Sequence, residues 1–145
     1  MADLKIVSST LQRVHLDWQN RRNGKTLPAR SSFDVLDLKY IVGSLNLLDV
    51  LRDPLRFRYR VHATNCVLLL GYDMTRKFVD DYPDPVYRER VRRNLAGVVE
   101  SRQPRCDLGT REIVDGRTIR FEALILPLAA DGETVDMLMV ALNLS

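Results

Sequence analysis

Residues 56–61 read Arg-Phe-Arg-Tyr-Arg-Val, an unbroken alternation of arginine with apolar side chains. Only an extended backbone, whose successive side chains point to opposite sides, separates Phe57, Tyr59 and Val61 from Arg56, Arg58 and Arg60 so cleanly. The apolar tract Leu45–Leu51 and an Arg52-Asp53-Pro54 turn come just before it, and together they predict an antiparallel hairpin. By the same parity His62 points outward, away from the core.

The last third of the chain repeats the pattern. Arg105 to Val114, Arg117 to Leu128 and Val135 to Leu142 are separated by Asp115-Gly116 and Asp131-Gly132, dipeptides suited to tight turns. Ile119, Phe121, Ala123 and Ile125 share one face, as do Val135, Met137, Met139 and Ala141, and both sets are expected to look into the core. The opposite faces carry Leu124, Leu126 and Leu128, then Leu138, Val140 and Leu142. That is more apolar surface than a wet sheet face shows, so something must cover it.

Elsewhere the period is helical. Val7, Leu11, Val14 and Trp18 form one stripe of an amino-terminal amphipathic helix, with a Ser9/Gln12 capping-box spacing at its start and Gly24 as its stop. This helix is the first candidate to cover the outer sheet face and a second copy of the chain the next. A homodimer is therefore expected, with Val7, Leu11, Val14, Trp18, Leu124, Leu126, Leu138 and Val140 as interface candidates. Residues 21–32 read as a connector, which divides the chain into an amino-terminal helix with connector (1–32) and a main domain (33–145). A short helical segment is expected over Leu36–Val42. Thr64 is placed to cap another through Leu70, stopped by Gly71. After Pro85, the spacing of Tyr87, Val91, Leu95, Val98 and Val99 predicts a longer amphipathic helix whose wet face carries Arg88, Arg90, Arg92 and Arg93.

At 145 residues, with 46% hydrophobic and 28% charged residues, the chain has the size and balance of one globular domain. No apolar run approaches the roughly 18 residues of a membrane span, and the amino terminus lacks the apolar core of a signal peptide, so a cytoplasmic protein is expected. Cys66 and Cys106 are far apart and make no CxxC pair, which indicates neither a zinc site nor a disulfide framework. Asp80, Asp81 and Asp84 lack the regular spacing of a calcium loop and read as a solvated turn. No GxSxG, HExxH, phosphate-binding or dinucleotide motif is present, so no enzyme is expected and no catalytic or metal-ligating residue is assigned.

The order strand, strand, short helices, longer helix and three strands is that of PAS domains. Leu51–Asn65 (LRDPLRFRYRVHATN), Gly71–Lys77 (GYDMTRK) and Arg120–Leu128 (RFEALILPL), followed by Asp131, Gly132 and Val135–Leu138, resemble a bacterial family of single-domain PAS proteins across nearly the whole chain. The resemblance implies an α+β, PAS-like fold, in which a five-stranded antiparallel sheet has helices on one face and the amphipathic amino-terminal helix is an addition. It also implies a central cavity and a role in sensing. Because the sequence ends shortly after its last strand, no output domain is expected, and the signal is expected to leave through contact with another protein.

The inward positions suggest a pocket for a small apolar or amphipathic ligand lined by Phe57, Tyr59, Val91, Leu95, Phe121, Ile125, Met137 and Met139. Asn65-Cys66 invites comparison with flavin-binding light sensors, but here it precedes the glycine turn that it follows in those proteins, so flavin is not expected. Haem needs an axial ligand, and the two histidines, His15 and His62, read as lying outside the core, so haem is not expected either. Two other readings compete with sensing. One is a ligand-free dimerisation adaptor; the other is an enzyme on a cone-shaped α+β scaffold, which the nearly all-apolar inward positions disfavour. The arginine-rich helix face leaves open a nucleotide messenger, though nucleic acid is not an expected partner.

Overall fold

The computed structural model describes residues 4–144, so residues 1–3 and 145 of the two expected regions lie outside it. Among the described residues, β1 (Leu45–Leu51), β2 (Arg56–Val61), β3 (Arg105–Glu112), β4 (Thr118–Leu128) and β5 (Met137–Leu144) make one antiparallel sheet in the order β2-β1-β5-β4-β3. The two hairpins β1-β2 and β3-β4 are adjacent in sequence, and β5 returns to join them by pairing with both β1 and β4. Helices α2 (Thr64–Leu70) and α3 (Pro85–Ser101) close one side of this sheet, and α1 (Ser9–Asn20) packs on the other side over β4 and β5.

The cap of α1 is one residue earlier than expected, Ser8 in place of Ser9: Ser8 Oγ accepts from Leu11 N at 3.2 Å, while Gln12 Nε2 reaches back to Ile6 O. Its C-cap is Arg21, ahead of Gly24, whose positive φ serves the turn beyond. Leu11, Val14 and Trp18 are buried within the chain, each contributing roughly 1.5–3 kcal/mol by leaving water. Trp18 Nε1 donates to Pro127 O at 2.9 Å, and the buried Glu122 carboxylate accepts from Val7 N at 2.6 Å and Ser8 N at 2.8 Å. The connector packs as well, with Leu27 in the same core as Phe33, Leu38 and Ile41 of the main region and backbone bonds from Leu27 N to Gly132 O and from Ala129 N to Pro28 O. The helix expected over 36–42 is instead two 3₁₀ turns, Val35–Leu38 and Val42–Ser44.

Two parity expectations fail, each for a geometric reason. Leu48 lies opposite Tyr59 but Leu47 lies opposite Val61, so Arg60 is an extra residue on β2. Such a bulge reverses the alternation beyond it. Val61 therefore turns out and is 43% exposed, while His62 turns in and is 7% exposed, the opposite of the sequence reading. On β5 the register sets Val140 opposite Ile125 and Met139 opposite Leu126. Directly paired residues share a face, so Leu138, Val140 and Leu142 lie on the side of α3, whereas Met137, Met139 and Ala141 lie beneath α1. Both faces of β5 are apolar, and alternation alone could not say which was inner.

Smaller corrections concern caps. Ala63 rather than Thr64 is the residue before α2, whose end is closed by Gly71 in the left-handed conformation. The acidic cluster is occupied locally: Asp84 Oδ1 accepts from Val86 N at the start of α3, Asp81 accepts from Phe78 N, and Asp80 pairs with Arg56.

Candidate functional site

Between the sheet and helices α2 and α3 lies a cavity of about 100 Å³, room for several waters or a small molecule. Its apolar wall comes from the alternation of β4 and β5, as Ile119, Phe121, Ala123 and Ile125 meet Val140, Leu142 and Leu144 across the register, with Val91 and Leu95 of α3 facing them. Of the eight expected lining residues, Tyr59, Val91, Leu95, Phe121 and Ile125 are brought together here. Phe57 is buried on the same side without reaching the cavity, and Met137 and Met139 are on the opposite face. Of the interface candidates, Leu11, Val14, Trp18, Leu124, Leu126 and Leu138 are buried in the chain's own core, Val140 lines the cavity, and Val7 is exposed.

The cavity is more polar than the sequence indicated. At its β1 end Asn46 is buried, accepting from Ala63 N at 2.7 Å and donating to Cys66 Sγ at 3.8 Å. His62 accepts from Met74 N at Nδ1, 3.1 Å, which fixes the neutral imidazole with its proton on Nε2. Burial holds its pKa below the usual histidine value, and Arg111 adds to this, against an opposing pull from Asp73. Outward parity thus no longer argues against an axial-ligand role for His62. Burial pushes the Cys66 thiol up, so its un-ionised form, a poor nucleophile, is the ground state.

A second polar group sits on β3. Arg90, expected on a wet helix face, turns inward, and its Nε and Nη2 bond the two oxygens of Asp107 at 3.2 and 3.1 Å while Asn94 Nδ2 adds 3.0 Å. Gly109 makes room for this: a Cβ there would stand 2.5 Å from Arg90 Nη2 and 2.8 Å from Phe121 Cζ.

Four tyrosines and one arginine make up the rest of the polar lining and its surround. Tyr59 and Tyr82 share a hydroxyl hydrogen bond of 2.7 Å, and the Tyr82 ring meets Tyr72 and Tyr87 edge to face. Burial raises the pKa of Tyr59, Tyr82 and Tyr87, so all three stay un-ionised. The Arg111 guanidinium lies 3.3 Å above the Tyr87 ring centroid and 5.7 Å from that of Tyr82, and its Nη2 donates to Tyr72 Oη at 3.1 Å. Its Nε and Nη1 are buried without a hydrogen-bond partner, and no carboxylate among the described residues pairs with it.

Sequence reasoning missed Arg111, Asp107 and Arg90. In β3 Arg105, Asp107, Gly109 and Arg111 alternate like a solvent face, and only the register of Arg111 opposite Ile119 shows that they lie on the helix side of the sheet, where Asp107 and Arg111 line the cavity while Arg105 stays exposed.

Residues 6–143 match the model of a PAS domain family. The chain belongs to the PAS domain family. No curated protein matches this PAS domain significantly. Among solved structures, a light-oxygen-voltage domain studied with a flavin analogue is 18% identical, with a TM-score of 0.54 over 77% of this chain and 83% of that one. The PAS domain of a protein from Colwellia psychrerythraea is 15% identical over 74% of this chain and 95% of that one, with a TM-score of 0.47. The PAS domain of an HTR-like protein from Haloarcula marismortui is 20% identical over 94% and 99%, also at 0.47. At such identity the light-oxygen-voltage domain shows a shared fold. No helix among the described residues is long and apolar enough to cross a membrane.

Proposed function

We propose that this PAS domain is a cytoplasmic, non-enzymatic sensory module that holds a small ligand between its sheet and helices α2 and α3 and passes the signal on by protein contact. The observation that carries this reading is the unfilled cavity itself, since native cores are packed with few voids larger than a water. Its lining mixes a broad apolar wall with a few convergent polar groups, the make-up of small-molecule sites. The two free cysteines suit a reducing compartment. Thermal-shift screening of a metabolite panel, followed by native mass spectrometry of any stabilising compound, tests the reading. At least one compound is expected to raise Tm and to be carried by the folded protein one to one. A panel without stabilisation, and a native mass equal to that of the bare chain, would remove it.

The expected homodimer belongs to the same proposal in altered form. Leu11, Val14 and Trp18 are occupied by the chain's own sheet, so a second copy would meet the exposed Val7 and Leu16. Leu16→Asp is expected to shift light-scattering mass from dimer to monomer; a monomeric parent protein would contradict it.

A further inference from the structure

We infer that the cavity is built for a small carboxylate, with Arg111 as the group that binds the anion and the β4–β5 wall holding the apolar body. The inference rests on reading the cavity as the ligand site and adds the chemistry of what enters it.

A cation taken out of water is expensive unless it is paired, and buried polar groups nearly always find partners. Arg111 has one hydrogen bond, to the neutral phenol of Tyr72, and rests on the faces of Tyr87 and Tyr82, whose ring quadrupoles offset part of the cost. Two buried nitrogens, Nε and Nη1, still lack acceptors.

The other charged pair in the cavity cannot supply them. Asp107 is already engaged by Arg90 and Asn94, and it lies four residues along β3 from Arg111, about 13 Å at strand rise. Asp73, more than half exposed, lies 3.7 Å from His62 and makes no ion pair with Arg111, and the phenols of Tyr59, Tyr82 and Tyr87 are kept un-ionised by burial. The site therefore carries a net positive charge that only an incoming anion balances.

A carboxylate suits it better than a cation or a neutral group. The planar fork of arginine donates to two carboxylate oxygens at once, and such charge-assisted bonds are short and strong. A cavity of about 100 Å³ with an apolar wall leaves space for a short alkyl chain or one ring behind the head group.

Binding of hexanoate and phenylacetate to the intact chain, measured by calorimetry beside hexanol, hexylamine, 2-phenylethanol and phenethylamine, tests the inference. The acids are expected to bind on the order of tenfold to a hundredfold more tightly than the alcohols, as a hydrogen bond to a charged group allows. The amines are not expected to bind. Arg111→Met is expected to abolish the acid's advantage while leaving alcohol binding in place. The ligand-free variant should melt no lower than the parent, because replacing an unpaired buried charge by an apolar side chain is neutral or stabilising. Tyr72→Phe, which removes only the phenol oxygen, is a second variant expected to weaken the acids several-fold. Equal affinity for acids and alcohols, or an acid preference that survives Arg111→Met, overturns the anion site while the cavity remains a ligand site. Failure of all six compounds to bind, together with no hit in the metabolite panel, removes both.

Discussion

His62 shows how one extra residue changes chemistry. The bulge at Arg60 swings the imidazole inward, where Met74 N–H holds Nδ1 unprotonated and burial lowers its pKa below the ordinary 6.5. The charges facing it are Asp73, which raises the pKa, and Arg111, which lowers it; burial, the largest influence, acts with Arg111 and outweighs Asp73. In the unfolded chain His62 takes up a proton near 6.5, while in the folded chain it does so only at lower pH. Below pH 6.5 the unfolded state thus binds more protons, and stability falls as pH drops toward the folded pKa. His62→Gln keeps an acceptor for Met74 N and is expected to flatten this decline between pH 7.5 and 5.5 in urea unfolding. Some slope should remain, because burial lowers the pKa of His15 too. Parallel pH profiles for parent and variant would show that His62 is not responsible. Strict alternation conceals the bulge, because the extra residue is itself an arginine that continues the pattern of its neighbours.

At the level of elements, the amino-terminal helix acts as a cover for the sheet rather than as a loose extension. Glu122 on β4 gathers Val7 N, Ser8 N and the Cys106 thiol, whose pKa burial and this carboxylate push up to about 12, so the thiol stays a donor at neutral pH. Glu122→Ala leaves two backbone donors without partners and is expected to cost about 1–3 kcal/mol. Hydrogen exchange should show the loss first in α1, with the β4–β5 amides still protected; uniform loss of protection across the chain would contradict a local tether. The elements themselves were legible, because periods of two and of 3.6 are properties of the local chain. Which face of β5 looks inward was not, since Leu138, Met139 and Val140 are all apolar and only pairing with Ile125 and Leu126 decides. Arg111 and Asp107 were hidden for the converse reason: charged residues alternating on an edge strand look solvated until α3 is seen to cover them.

Taken whole, the molecule is a sheet with two differently used sides. One is sealed by α1 and the connector, where Leu11, Val14, Trp18, Leu27, Leu124 and Leu126 form a dry core. The other keeps a gap under α2 and α3 that the Arg111 guanidinium lines with two nitrogens lacking acceptors and with no carboxylate paired to it among the described residues. Filling that gap tests the account most directly. Ala123 lies on the cavity wall, and Ala123→Leu adds bulk there without touching the outer face. Calorimetric titration with phenylacetate, read beside the melting temperature, should find that the variant folds with a Tm close to the parent's and has lost binding at least tenfold. Unchanged affinity in a folded Ala123→Leu protein would place the ligand elsewhere and contradict the cavity as the sensing site.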